Sequence, residues 1–482
     1  MLLGLTAAAL GTMMEAEHCD TAIVGAGPGG VYAAWRMIEA NHSGRICMYE
    51  RSHRFGGRIF SLREQGPKKD LVVDMGAYRF VDKPSHDGSW YIYTPLTAAL
   101  IEDKLRLPYK PYEPGDHTNF MKKIVDAEGE NAGYAVFVEK MFETIKADGR
   151  FSIRYGQELV SIDPAAHDRP LTLHFASGLA VTAGASLLNL PQLPLLKVLQ
   201  RSDALLEAGG GMPVALQAPR PVDGVKLYVH YSNAWWRNLL GRSSGQFATG
   251  GGSFANASSN TQRPELFGRY HDGHTRCDGA TARTKCRGFL EATYTYADNA
   301  RWFLNHQPSL DPPYIELNQT SASGRFALEL VHDALLRFHR DALEKASTAS
   351  FNATQLVAAM RPELALLSYW GPQTTGYGGA IHGSRAGSLI NVSQIGPRAM
   401  APFGAQRVYV ANEAFGALRG VDATLGSHHG WAECSLVQAE NVLVRAFGLA
   451  PPAWINASLY ERYVRFHSEP DELARRDGWA QG

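Results

Sequence analysis

The apolar run at residues 20–24 reads as a short buried strand, and GAGPGG follows it at once. Apolar positions at helical spacing then extend from about residue 31 to 40, and a second apolar run covers 45–50. Strand, glycine turn, helix and strand make a β-turn-α-β unit. The stretch RSHRFGGRIFSL reads as a loop entering a strand. Between residues 85 and 145 the apolar spacing is three and four, at Leu96, Leu100 and Ile101 and at Val138, Met141, Phe142 and Ile145, so part of this segment is predicted helical and is placed over a substrate side. From Phe151 the pattern returns to strands in FSIRYGQELVSID, LTLHFA and ASLLNL. An alternating strand is predicted over 226–231, a long Gly-, Ser- and Asn-rich loop over 241–261, and a helix over 325–346 with Leu328, Leu335 and Phe338 on its apolar face. A last strand, RVYVA, and a helix after Ser427 close the pattern. The expected organisation is two interleaved, discontinuous domains. One comprises 18–84, 151–220 and 400–450, the other 85–150 and 221–399, with a polar tail at 451–482 and no internal repeat.

Composition narrows the class without choosing a function. The 482 residues exceed one small core, and 45% hydrophobic with 20% charged residues is ordinary globular usage. Lysine plus arginine equals aspartate plus glutamate at 47 each, which removes the electrostatic case for nucleic acid. Residues 1–12 are apolar but too short to span a bilayer, and with residues up to 17 they are expected to be a signal segment or a disordered start. Six Asn-x-Ser/Thr sequons, at Asn41, Asn256, Asn318, Asn352, Asn391 and Asn456, lean toward a secreted glycoprotein. Cys277 and Cys286 are expected to form a short disulfide loop, whereas Cys47 in its apolar strand reads as a small core residue. No metal-site spacing occurs, and the polar end gives no membrane anchor.

The chemistry begins at GAGPGG, residues 25–30. Gly25, Gly27 and Gly30 form G-x-G-x-x-G between a strand and a helix, with Pro28 and Gly29 inside the turn. That arrangement brings backbone amides and a helix N-terminus to a pyrophosphate. Glu50, twenty residues on at the end of the second strand, is placed to accept hydrogen bonds from a ribose. The dinucleotide reading needs only these residues.

The next residues, ERSHRFGGRI, resemble the second signature of the flavin-containing amine oxidase superfamily, and this implies FAD contacts for Glu50, Arg51, Gly57 and Arg58. DMGAYRF resembles the segment passing the flavin ring, with Gly76, Ala77, Tyr78 and Arg79; its arginine form is similar to that of L-amino acid oxidases, where the arginine grips the substrate carboxylate. The competing reading is that Arg79 pairs with an internal acid or faces FAD. GVKLYVHYSNAWW resembles the strand with the superfamily's lysine beside flavin N5, here Lys226. YWGPQTTGYGGAIHG resembles the segment that carries a flavin-linked cysteine in monoamine oxidases, but Ala380 stands there, which implies non-covalent FAD; Trp370 and Tyr377 are candidates to border the ring. VYVANEAF and HHGWAECSLVQAENVL resemble the closing FAD motif, implying Glu413 at the ribityl-phosphate region and Gly430, Trp431, Ala432 and Glu433 beside the ring. Asn412 replaces the motif's glycine and an insertion at about 416–426 splits its halves. Leu159 is expected to meet adenine, and Tyr270 to join Arg79 at the carboxylate.

The resemblance thus implies an α/β fold, with an FAD-binding Rossmann-like domain interleaved with a mixed α+β substrate-binding domain. The expected reaction is oxidative deamination of an L-amino acid to a keto acid, ammonia and hydrogen peroxide, with dioxygen as second substrate. The alternatives are oxidation of an amine or polyamine without a carboxylate, and a flavin-binding module without catalysis.

Overall fold

The computed structural model describes residues 17–86, 91–112, 121–166, 169–248, 267–270, 274–278, 285–297, 300, 303, 309–371, 377–384, 390–416 and 430–466. Strand β1 (Glu17–Val24), helix α1 (Pro28–Glu39) and strand β2 (Ile46–Tyr49) form the unit expected at the start. β1 pairs in parallel with β2, Thr21 opposite Ile46 and Val24 opposite Tyr49, and on its other side with strand Ala180–Leu188. The full sheet runs Leu159–Asp163, Leu171–Phe175, Ala180–Leu188, β1, β2, Phe151–Arg154. Strand Val408–Val410 joins beside the far half of Ala180–Leu188, Ser186 opposite Val408. All four residues of β2 are buried, as expected for a parallel strand covered on both faces.

α1 packs against helices Val136–Lys146 and Ala432–Ala446, and Val31, Phe137, Val138, Met141, Leu436 and Val437 share one core. A buried ion pair sets the contact: Arg36 Nε lies 3.1 Å from Glu440 Oε2, which also accepts from Tyr32 Oη at 2.7 Å. Two expectations change here. The segment 136–146, assigned to the substrate side, packs on the nucleotide side, because its apolar face at Phe137, Val138 and Met141 meets α1. The described part of the expected tail, 451–466, puts Ile455, Tyr460, Val464 and Phe466 into the same core; sparse apolar residues at the right spacing are enough. Cys47 is buried as expected but is also bridged to Cys19, joining β1 to β2. Cys277 is bridged to Cys286 across directly paired strands.

The second sheet is antiparallel and runs Gln246–Ala248, Phe267–Arg269, Cys286–Tyr296, Gly224–Tyr231, Leu364–Trp370, Ile315–Asn318, with Thr275–Cys277 also on Cys286–Tyr296. Its central strand Gly224–Tyr231 is buried throughout rather than half-exposed. Val225, Leu227 and Val229 pack with Leu328, Leu335 and Leu343 of the long helix Ala322–Lys345. Tyr228, on the opposite face, packs with Leu62, Leu71, Val73 and Phe289. The period of two therefore sends Lys226 to the same side as Tyr228, toward strand Leu71–Asp74. No helix among the described residues is long and apolar enough to cross a membrane.

Candidate active site

A cavity of about 630 Å³ lies between the two sheets, within the range of cofactor sites. Its lining starts at Val24, Gly25, Gly27, Pro28, Glu50 and Leu159 and reaches Lys226, Tyr294, Trp370 and Trp431. Two positions show why glycine is required. Gly25 has φ +98°, and a Cβ there would lie 2.6 Å from Asn189 O; a Cβ on Gly30 would lie 2.1 Å from Gly25 O. Gly29 and Gly30 pack rather than line: Gly29 sits against Ser435 of helix Ala432–Ala446. α1 begins at N-cap Gly27 with no side-chain cap, so its first amides stay available.

Around this turn, Glu50 accepts from Ala26 N and Ser52 N, both at 2.8 Å, which holds its carboxylate at the cavity wall. Arg51 lines the cavity 3.7 Å from Glu158. Gly57, Gly76 and Ala77 line it as well. Arg58 lines it too, but its guanidinium donates to Gly379 O, Ala380 O and Glu413 Oε2, the last at 2.7 Å. Glu413 in turn accepts from His382 N at 3.1 Å. Arg58 and Glu413 thus brace each other at the wall.

The far end is aromatic and cationic. Trp370 donates Nε1–H to Met75 O at 3.0 Å and meets Tyr377 edge-on at 5.2 Å. Both rings line the cavity with Ala380, Gly430, Trp431 and Ala432. Helix Ala432–Ala446 starts there at N-cap Trp431, again without a side-chain cap. Arg79 is half-buried, its guanidinium 4.8 Å from the Tyr78 ring and 5.8 Å from the Trp431 ring, with no hydrogen bond or ion pair to any described residue. Tyr78 is buried, and neither it nor Arg79 lines the cavity itself, although both were expected at the ring. Lys226, 2% exposed, donates to Gly76 O at 2.5 Å and Asp74 O at 3.2 Å, and lies 3.9 Å from the Tyr78 ring centre. Burial is the largest influence on its ammonium and pulls the pKa down to about 7, against the opposing pull of Glu291.

Two expected residues stand elsewhere. Glu433 accepts from Leu96 N, Thr97 N and Thr97 Oγ1 at 2.7–3.0 Å and so caps the helical segment beginning Pro95–Ala99, because position 433 of its helix faces away from the cavity. Burial nevertheless pushes its carboxyl up to about 7. Tyr270 bonds His339 and packs on Phe247 in the core under the second sheet. Its neighbour Arg269 points to the opposite face of the sheet, 5.3 Å from the ring of Tyr294, which lines the cavity, since successive strand residues point to opposite faces. The insertion at 416–426, residues 249–261 of the long loop and Asn256 lie outside or largely outside the described residues.

Two open helix ends and a glycine-lined channel between them suit a long, doubly anionic ligand with a polar ring at its far end. Residues 23–92 match the NAD(P)-binding Rossmann-like domain family. A curated relative, the thiamine thiazole synthase of Pyrobaculum neutrophilum, is 36% identical over 93 residues, or 18% of this chain; the match covers 34% of that protein's length. Putrescine oxidase, solved in its wild-type form bound to putrescine, superposes with a TM-score of 0.51 at 13% identity, over 90% of this chain and 100% of that one. A redesigned double mutant of the same enzyme gives 0.52 at 12%, over 89% and 100%. The fold is that of putrescine oxidase. The shared architecture accounts for the interleaving of a Rossmann-like sheet with an antiparallel one.

Several residues in or beside this cavity escape the motif reading. Asn189 donates Nδ2–H to Gly25 O at 3.2 Å and accepts from Asn412 Nδ2 at 3.2 Å, so Asn412 ties two strand ends to the glycine turn. Glu291, fully buried, accepts from Tyr228 Oη at 2.9 Å and lies 3.9 Å from both Lys226 Nζ and Arg269 Nε. The signal for Glu291 was present: a lone carboxylate in CRGFLEATYTY is as costly as a lone lysine in GVKLYVHY.

Proposed function

We propose that the protein is an FAD-dependent amine oxidase whose substrate is an L-amino acid and whose final electron acceptor is dioxygen. The observation that carries the amino-acid reading is Arg79: a guanidinium laid on two aromatic faces, one of them the Trp431 ring that lines the cavity, with no described acidic partner. Such a group suits an arriving carboxylate. FAD, when bound, would supply the two-electron acceptor for oxidation of the carbon–nitrogen bond.

The chain's own residues divide the remaining work. The α1 N-terminus with Gly27 and Gly57 would receive the pyrophosphate, and Glu50 retains acceptor capacity for ribose hydroxyls beyond its two backbone bonds. The N-terminus of helix Ala432–Ala446 favours negative charge at the ring end. Ala380 offers no nucleophile, so retention of FAD would be non-covalent. Arg79 orients the carboxylate, and Trp431, Trp370 and Tyr377 exclude water from the reacting amine. Residues 1–16, with the sequons, remain grounds for proposing a secreted glycoprotein.

The fold shared with putrescine oxidase favours a second reading, oxidation of a simple amine or polyamine. A peroxide-coupled screen of all L-amino acids beside putrescine and tyramine separates the two. Turnover of an amino acid is expected; turnover of putrescine or tyramine with no amino acid oxidised overturns the carboxylate reading. Bound flavin without turnover of any substrate would leave a non-catalytic flavin module.

A further inference from the structure

We propose that residues 309–314 form a strap that retains the cofactor, with Asp311 the positioning residue that pins Leu310 into the cavity wall. The inference rests on the reading of this cavity as an FAD site.

Leu310 is half-buried and lines the cavity together with Gly57, Arg58 and Tyr377. It reaches that wall from far along the chain. The strap leads directly into strand Ile315–Asn318 of the antiparallel sheet, whereas Gly57 and Arg58 belong to the loop that follows β2. That loop is built onto the glycine turn: Gly56 N donates to Ala26 O at 2.8 Å, Ser52 N donates to Glu50 Oε1 at 2.8 Å, and a Cβ on Gly57 would lie 3.1 Å from Gly27 Cα.

The strap is fastened to this loop. His53 N donates to Asp311 Oδ2 at 2.6 Å, Tyr377 Oη donates to Leu310 O at 3.3 Å, and the Tyr314 ring lies 6.0 Å from that of Phe60. Arg54 ties the parts together. Its guanidinium lies 4.5 Å from the Phe60 ring centre and 5.1 Å from that of Tyr377, and it donates to Phe55 O and Gly57 O. Between strap and loop, the bond from His53 N to the Asp311 carboxylate is the charge-assisted contact, and such bonds are stronger than those between neutral groups.

Within the strap little else fixes its shape. Ser309 and Pro312 are exposed, and the only hydrogen bond inside it among the described residues runs from Ser309 Oγ to Pro312 O at 3.3 Å. A segment with so few contacts of its own opens at low cost, so the place of Leu310 in the wall depends on the fastening to the loop. Removing the Asp311 carboxylate frees Leu310 and one side of the channel, and bound FAD escapes sooner. A clip that served the fold alone would leave the escape rate as it is.

The experiment uses the full-length, FAD-loaded protein, diluted with a phosphodiesterase that destroys FAD once it is free; the release rate is read from flavin fluorescence. Asp311→Ala should release FAD about tenfold faster than wild type, the effect of one lost charge-assisted hydrogen bond. Leu310→Ala should also release it faster. Asp311→Asn, which keeps a side-chain oxygen for His53 N, should stay within about threefold of wild type. Asn352→Ala is the control: it removes a helix cap that does not line the cavity, where Asn352 Oδ1 accepts from Gln355 N, and should leave the rate unchanged. Release at the wild-type rate from Asp311→Ala or from Leu310→Ala overturns the proposal, as does equal acceleration in Asn352→Ala or in Asp311→Asn. If Asp311→Ala does not fold, Leu310→Ala and the control decide. Wild-type protein that takes up no FAD overturns the flavin reading together with this one; the other outcomes leave that reading standing.

Discussion

A guanidinium lying over aromatic faces, as Arg79 lies over Tyr78 and Trp431, keeps its in-plane N–H donors for a planar anion. Arg79→Ala should then cost about 2 to 4 kcal/mol in the transition state for an amino acid, which lowers kcat/KM roughly 30- to 1,000-fold. Arg79→Lys should restore only part of it, and FAD content should stay at the wild-type level. Normal amino-acid kinetics in Arg79→Ala, or flavin loss in step with activity, would remove Arg79 from substrate binding. Lys226 makes a pH-dependent prediction. Its folded pKa, about 7, lies below the ordinary 10.5, so between these values the unfolded chain binds the extra proton and stability rises with pH. Lys226→Met should flatten that rise, measured by denaturant unfolding from pH 7 to 10; an unchanged slope would place the titration elsewhere. At this scale the sequence was most legible where one residue type is physically obligatory, as at Gly25 and Gly30. It was least legible where a pairing decides: Tyr270 and Arg269 are adjacent, and only the strand register reveals that Arg269 lies opposite Glu291.

Elements carry the second kind of information, which face is covered and by what. Helix Ala432–Ala446 is recognisable from its motif, yet its second residue, Glu433, holds another helical segment rather than the ring. Its folded pKa, raised to about 7 from 4.5, means that the native state binds the extra proton in this interval, so stability falls as pH rises from 4.5 to 7. Glu433→Gln should abolish that fall, read as melting temperature against pH, with little change in FAD affinity. A strong loss of FAD would return Glu433 to the cofactor. The Cys19–Cys47 bridge was hidden for a related reason. Cysteines 28 residues apart become neighbours only through the parallel pairing of β1 and β2, which no local pattern reports. Likewise the helical spacing of 136–146 was readable, while its partner, α1, was not.

For the whole molecule, the cavity draws on residues from Val24 to Ser435, so cofactor retention depends on segments far apart in the chain. Acid or heat should release yellow, fluorescent FAD into the supernatant, as non-covalent binding beside Ala380 requires; flavin remaining with the precipitate would contradict it. The interleaving also has a consequence for synthesis. Strand Val408–Val410 completes the edge of a sheet begun at Glu17, and helix Ala432–Ala446 covers α1. A nascent chain paused on the ribosome near residue 400 therefore carries an open sheet edge and an uncovered apolar helix face, both prone to association. Its first domain is among the last parts to finish. During translation the protein depends on whatever shields those surfaces until the segment from 408 to 446 has emerged.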